Sequence, residues 1–441
     1  MDDSRIRHLA NDAGIALRPD VAVDGADPIL PSRFPIGEAA AVVLAGLGSA
    51  AADVAALAGG SPGPVATSAL SGAHATIGFA LQTLNGEPVP RSNQSNPFVH
   101  CYKTADERWV YIHGGFPNLA SGLANLLGVS NDATHAELKA AMEQWNATDI
   151  EDAIADRNLC GAMVRSRTEW LAHPQGAALE IEETVSFVPA DGELRWEPDP
   201  KRPLAGLRVL DMTRVLAGPT CGKFLASLGA EVVNLRAPHL PVVPSFLLET
   251  GVGKTVLNAD LRSPADLASV RALALNSHVV VQGYRPGIVA RFGLDAASLR
   301  DTGWRGIYGN ISCYGHVGPW AGRAGWEQLA QSVSGMADAE GTAARPEQVP
   351  AALNDYTSGL LMATAVTRQL ASQSLAELHG SLCQTASWLM RTGATCDPSA
   401  ASGIGIPARQ QRTTPDGAHT HLTPGFTVAN LDIGWPGSTD I

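Results

Sequence analysis

The chain has 441 residues, room for two or three domains of about 150 residues with ample core. Hydrophobic residues make up 45% and charged residues 17%, with 45 glycines and 29 prolines, which argues against disorder and for a compact, turn-rich protein. A net charge of −12 with no basic run leaves no footprint for binding a phosphate backbone, so nucleic acid is a poor partner.

The first residues, Met1-Asp2-Asp3, are acidic and carry no apolar leader, and the most apolar stretch, 39–52, is too short for the roughly 20 residues a bilayer span needs. No membrane anchor is expected. Cys101, Cys160, Cys221, Cys313, Cys383 and Cys396 lie far apart without a CxxC, so neither a zinc site nor a disulfide framework is written in their spacing, and a reducing cytoplasm fits best.

Taken in chain order, residues 37–84 have Ala-rich helical spacing, broken at 59–64 by two glycines and then Ser61-Pro62-Gly63-Pro64. A loop is expected over 85–98. After the turn signal Asp106-Glu107, Trp109, Tyr111 and His113 alternate with Val110 and Ile112, a strand pattern. Thr148 with Glu151 and Ser166 with Glu169 have capping-box spacing and predict two helix starts. Residues 1–190 therefore read as a mixed α/β region. The proline- and turn-rich stretch 186–203 reads as a linker, with the connection itself at 191–202. Beyond it, strands are expected at 207–212, 231–235, 255–260, 279–282 and 307–311, with helices at 219–228, closed by Gly229, and at 264–275. This βαβ series predicts a doubly wound parallel sheet in 203–441, with ligands bound at the carboxyl ends of its strands.

Two nucleotide motifs fail on inspection. Gly251-Val-Gly253-Lys254-Thr255 resembles the end of a P-loop, but the first glycine of that motif falls on Leu248 and a strand comes next where a helix is needed. Residues 217–222 come after the first strand without GxGxxG, so NAD is not expected.

Several ordered motifs carry a resemblance. The stretch from Pro203 through Leu207-Arg-Val-Leu-Asp-Met-Thr-Arg-Val-Leu-Ala-Gly-Pro219, then Leu228-Gly-Ala-Glu-Val232, Tyr284-Arg-Pro-Gly287, Arg291-Phe-Gly293, Tyr314-Gly-His-Val-Gly-Pro319 and Gly325-Trp-Glu-Gln-Leu-Ala-Gln331, resembles the N-terminal half of the family III CoA-transferases, the CaiB/BaiF group. The segments Tyr102-Lys-Thr-Ala-Asp-Glu-Arg-Trp-Val110 and Val164-Arg-Ser-Arg-Thr-Glu-Trp-Leu-Ala-His-Pro-Gln-Gly176 resemble a later portion of the same family. The order is therefore reversed, and residues 74–86 and 379–393 look like two versions of one family helix. The resemblance implies a Rossmann-like CoA-binding domain at 203–441, a smaller mixed α/β domain at 1–190, and either a circular permutation or a truncated tandem. It also implies coenzyme A or acyl-CoA as substrate without metal, and a homodimer.

In that family an aspartate ending a short apolar strand and opening a helix is the nucleophile, and Asp355 matches it. An ionised carboxylate attacks a thioester carbonyl because a thiol of pKa near 8.5 is a tolerable leaving group. From its own sequence context, an Asp before an apolar run is as readily a helix cap, and a helix N terminus would keep it ionised. Glu327 is placed beside the site by the resemblance, or is a solvated acid at a helix start. Trp326 stands where the racemase branch carries a basic His, and an indole N–H is no base, which disfavours racemisation. For CoA contacts the resemblance carries over Val215, Leu216 and Ala217 as the loop meeting the pantetheine, Arg262 and Arg291 as phosphate contacts, and Tyr284 and Phe292 as apolar bulk for the adenine. Leu216, Ala237 and Ala324 depart from the residues frequent at their places. The expected function is transfer of CoA from an acyl-CoA donor to a carboxylic acid; an acyl-CoA racemase or isomerase and a non-catalytic CoA-binding protein remain the alternatives.

Overall fold

The computed structural model describes residues 3–90, 96–342, 344–393 and 395–440. Helix α1 (Asp3–Asp12) leads into strand β1 (Val21–Asp24) and the long helix α2 (Ile36–Leu57), whose Ala, Val and Leu side chains are buried almost all round. At 22 residues α2 as a whole, unlike its most apolar stretch 39–52, matches a bilayer span by length, but 83% of its most apolar window is buried inside the protein, as a central core helix requires. The expected break at 59–64 is present. After it the chain does not return to helix at once but forms strand β2 (Val65–Ser68), parallel to β1, then helix α3 (Ala69–Thr76) and the short strand β3 (Thr83–Leu84). Four residues with two side chains pointing inward leave too short a signal for the period to show. Most of the loop read at 85–98 is irregular, and its residues 91–95 lie outside the described ones.

Strands β4 (Val99–Lys103), β5 (Trp109–His113) and β6 (Gly161–Met163) make a small antiparallel sheet. The capping box at Ser166 and Glu169 is present, but the one at Thr148 is not: helix α4 (Ala147–Asp156) begins two residues earlier, behind Asn146. Glu151 is drawn instead into a buried ion pair with Arg165, whose Nη1 it meets at 2.8 Å, and it accepts the Met163 N–H. The spacing that did form a second box, Thr134 with Glu137, went unread.

The stretch read as linker opens as strand β7 (Val185–Ala190), which pairs antiparallel with the edge of the large sheet; Pro189 is tolerated because an edge strand has one unpaired side. The remaining strands come as expected: β8 (Arg208–Met212), β9 (Glu231–Arg236), β10 (Lys254–Asn258), β11 (Val279–Gln282) and β12 (Ile307–Ser312), with helix α5 (Ala217–Ser227) after β8 and helix α6 (Pro264–Leu275) after β10. Helix α7 (Glu327–Ser334), helix α8 (Leu353–Ala371), strand β13 (Leu375–Ser381) and helix α9 (Leu382–Arg391) complete the unit. The sheet order is β10-β9-β8-β11-β12-β13-β7, parallel up to β13. Counted along the chain the parallel strands run third, second, first, fourth, fifth, sixth, so the order reverses between β8 and β11, the kind of switch point at whose carboxyl ends such sheets take ligands. Val279, Val280, Val281 and Gln282 are all buried, the continuous run that a strand covered on both faces needs.

The last segment returns to the first. Strands β14 (Arg409–Thr414) and β15 (Gly417–Leu422) form a hairpin that continues onto β3, and β16 (Phe426–Val428) pairs antiparallel with β2. Helix α2 packs on α8, and one hydrophobic cluster runs through both, from Ala39 and Val43 to Leu360 and Val366. The two segments read as versions of one helix do not match at their histidines: His74 lies within α3, whereas His379 lies on β13, two residues before the serine that caps α9.

Candidate active site

Leu353, Asn354 and Asp355 are the first three residues of α8, with Ala352 as N-cap and no side-chain cap. Asp355 therefore neither ends a strand nor caps the helix. The capping carboxylate is Glu327, at the start of α7. Its Oε1 accepts the Asn354 backbone N–H at 3.0 Å and side-chain amide at 3.2 Å, and its Oε2 accepts the Asp355 N–H at 2.8 Å. Gln331 Nε2 donates to Oε1 at 2.7 Å and holds the carboxylate in place. Glu327 is 3% exposed and so is not a solvated acid.

This capping leaves Asp355 free. Its side chain is 9% exposed, and among the described residues nothing donates a hydrogen bond to its carboxylate. Burial first, and the Glu327 charge second, push its pKa well above the usual carboxylate range. Burial likewise pushes Glu327 up to about 7, against the hydrogen bonds that favour its ionised form. The expectation that the helix terminus keeps Asp355 ionised is not met, because the N–H groups that would do so are spent on Glu327.

Trp326, the N-cap residue of α7, lies over His113 at 5.5 Å between ring centroids and over Phe116 at 5.4 Å. Burial lowers the His113 pKa to about 4, so the ring is neutral at pH 7, and among the described residues its Nδ1 has no hydrogen-bond partner. Phe116 in turn carries the Arg214 guanidinium over its face at 5.6 Å. Phe116, Arg214, Val215, Asn234, Arg236 and Phe246 line a small cleft of about 40 Å³ at the carboxyl ends of β8 and β9. Val215 has φ 71°, a left-handed conformation that is costly for a β-branched residue and is found where neighbouring structure dictates it. Asp355 does not line this cleft itself; the aromatic run Phe116-Trp326 leads from it to Glu327. One turn beyond Asp355, a Cβ on Gly359 would stand 2.2 Å from the Ala217 carbonyl oxygen, so glycine is what lets α8 rest on the start of α5.

The structure thus gathers Asp355, Glu327 and Trp326, and sets Val215 in the cleft. Leu216 is the buried N-cap residue of α5 and Ala217 its first residue. Tyr284 and Phe292 pack against the cluster formed by Leu235, Ala259 and Val289. Burial raises the Tyr284 pKa and the nearby Arg214 charge opposes the rise. Arg262 and Arg291 are exposed, and Arg262 is held by Asp260 through Nη2 at 2.6 Å and Nε at 2.9 Å. Neither arginine lines the cleft. The residues that went unread are Arg214, Phe116 and His113; Arg214 sits inside the stretch 203–219, and His113 closes an apolar strand ahead of Gly114-Gly115, the one signal that could have marked it. Among the described residues, no three His, Cys, Asp or Glu side chains are grouped to hold a metal ion.

The sequence description of CoA-transferase family III matches residues 23–189 and 204–422. An acyl-CoA transferase of Gibberella moniliformis is 32% identical over 325 residues, 67% of this chain and 56% of that protein. The acetyl-coenzyme A transferase nodX of Hypoxylon pulicicidum is 31% identical, over 68% of this chain and 55% of that protein. A succinate–glutarate CoA-transferase of Agrobacterium fabrum is 32% identical over 39% of this chain and 48% of its own. A solved CaiB/BaiF family protein of Brucella suis is 25% identical, with a TM-score of 0.41 over 49% of this chain and 65% of its own. The chain spans little more than half the length of the first two relatives. With both matched stretches together taking in most of its residues, the chain belongs to CoA-transferase family III.

Proposed function

We propose that the protein transfers CoA from an acyl-CoA donor to a carboxylic acid through a covalent intermediate on Asp355. The observation that carries this reading is a buried carboxylate that takes no internal hydrogen bond and whose backbone N–H is fixed by a second carboxylate. An Asp355 oxygen attacks the thioester carbonyl carbon, the C–S bond breaks, and the electron pair leaves on the CoA sulfur, giving a mixed anhydride and a thiolate. The thiolate then attacks the Asp355 acyl carbon and releases the donor as its carboxylate, leaving an aspartyl-CoA thioester. The acceptor carboxylate runs the two steps in reverse and restores Asp355. Glu327 acts as a positioning residue. The cleft at β8 and β9, with Arg214 and Arg236, is where the CoA moiety is expected, which suits a Rossmann-like role for this sheet.

Both stretches, 23–189 and 204–422, match the family, and the rearranged order, with the small sheet ahead of the large one, belongs to this proposal. An isomerase reading would need a second base across the α-carbon from Asp355, and Trp326 does not supply one. The test is exchange: acetyl-CoA or succinyl-CoA is mixed with a panel of ¹³C-labelled carboxylic acids and labelled acyl-CoA is read by mass. Wild type should form it, and Asp355→Asn should form at least about a thousandfold less. Solvent deuterium entering the α-carbon with no acceptor present would favour the isomerase instead.

A further inference from the structure

The start of α2 repeats the start of α8 residue by residue. Pro35, the N-cap of α2, has φ −77° and ψ 67°; Ala352, the N-cap of α8, has φ −85° and ψ 58°. The third residue of each helix is acidic, Glu38 and Asp355. A carboxylate from outside the helix accepts the backbone N–H of that acid in both: Asp27 Oδ2 from Glu38 at 2.7 Å, and Glu327 Oε2 from Asp355 at 2.8 Å. Burial raises the outer carboxylate in each case, Asp27 to about 6 and Glu327 to about 7.

The likeness continues down the chain. Each helix is succeeded by a strand whose last residue is a serine that caps the next helix: Ser68 with φ −146° and ψ 157° accepts the Ser71 N–H, and Ser381 with φ −147° and ψ 155° accepts the Gln384 N–H. The unit α2-β2-α3 and the unit α8-β13-α9 are thus two copies of one structural repeat, and their long helices pack on each other. Each falls in a different one of the two family-matched stretches.

The copies differ at the acid. Among the described residues the Asp355 carboxylate accepts no hydrogen bond, whereas Glu38 Oε1 accepts the Asp27 N–H at 3.2 Å and Glu38 Oε2 is ion-paired, without a hydrogen bond, to Arg5 Nη2 at 2.5 Å. Arg5 belongs to α1, which lies outside the matched stretches and is tied to the other copy, where the Leu9 carbonyl accepts from Trp388 Nε1 at 3.2 Å. Glu38 is 2% exposed. We infer that Asp27 and Glu38 form a second copy of the Glu327–Asp355 carboxylate site, silenced by the α1 helix, whose Arg5 occupies the carboxylate that is left bare in the working copy.

This inference rests on the proposed role of Asp355 only for what the silent copy is silent in, and the test separates the two. The folded-state half is a double-mutant cycle on the full chain by thermal unfolding. Arg5→Met and Glu38→Gln should each lower Tm by about 2 °C or more, and the double variant should lose no more than the worse single. Arg5→Lys should recover part of the loss and stands in if Arg5→Met does not fold. Additive losses would overturn the lock. The chemical half incubates wild type and Asp355→Ala with acetyl-CoA and with succinyl-CoA, adds hydroxylamine, and maps adducts by peptide mass. The peptide holding Glu38 should carry none in either protein, and Glu38→Gln should keep wild-type exchange. An adduct on Glu38 would overturn the inference while leaving acyl transfer standing. The lack of an adduct on Asp355 would instead count against the proposed function, and the Tm cycle would still decide the lock.

Discussion

Asp355 and Glu327 divide two tasks that one acid at a helix start usually combines. Glu327 takes the N–H groups, and among the described residues the Asp355 oxygens are left without a donor and its pKa is raised. In the proposed reaction the attack needs Asp355 ionised, and part of what keeps it protonated is the Glu327 charge. Glu327→Gln removes that charge, so the acid limb of the kcat/KM profile should move to lower pH; an unmoved limb, or one moved upward, would contradict the coupling. The same group sets a stability trend. Glu327 has a folded pKa of about 7 against an ordinary 4.5, so the folded chain binds the proton more tightly than the unfolded one. Its contribution is complete below pH 4.5 and lost as pH rises through 7, and urea titrations should show this slope in wild type and not in Glu327→Gln. At this scale the identities of both acids were legible through their motif context, in Asn354-Asp355 and Gly325-Trp-Glu327. Their burial, and which of them caps, were not, because both arise from the meeting of α7 and α8 across some thirty residues of chain.

The elements that could be read are those whose signal is local. Strand β11 was found to the residue because four buried side chains make a continuous apolar run, and α6 because Ser263 and Pro264 mark its start. Strands β2 and β7 were missed because β2 is only four residues long, Pro189 and the turn-rich residues beyond it mask β7, and each pairs with a strand far along the chain. Two substitutions test the packing that holds the site. Gly359→Ala puts a methyl into the Ala217 carbonyl and Thr220, so it should cost about 1–3 kcal/mol in chemical denaturation and raise KM for acyl-CoA as the 213–217 loop is displaced. Lys254 and Asp211 form an ion pair that is 1% and 0% exposed, with the Lys254 ammonium also donating to the Pro219 carbonyl ahead of the cleft. Lys254→Met strands a buried carboxylate and should cost about 3–5 kcal/mol, whereas a loss under about 1 kcal/mol would contradict the packing of α5 on the sheet.

In the whole molecule, the first and last segments build common sheets, so the chain is not a string of independent pieces. Strand β16 completes the sheet of β1 and β2, the β14-β15 hairpin completes that of β3, and one cluster joins α2 to α8. Tryptophan fluorescence and far-UV circular dichroism should therefore report a single coincident urea transition, and two separated transitions would contradict this closure. The family-like segments were visible in the sequence; the way β7 and β16 cross between the halves was not, since strand pairing leaves no mark on residues so far apart. The account turns on one atom set, the free oxygens of Asp355. The most direct measurement is mass mapping of the full chain after acyl-CoA and hydroxylamine: the account predicts one hydroxamate per chain, on Asp355, and an unmodified Asp355 in a protein that still exchanges CoA, or an Asp355→Ala variant that keeps turnover, would contradict it.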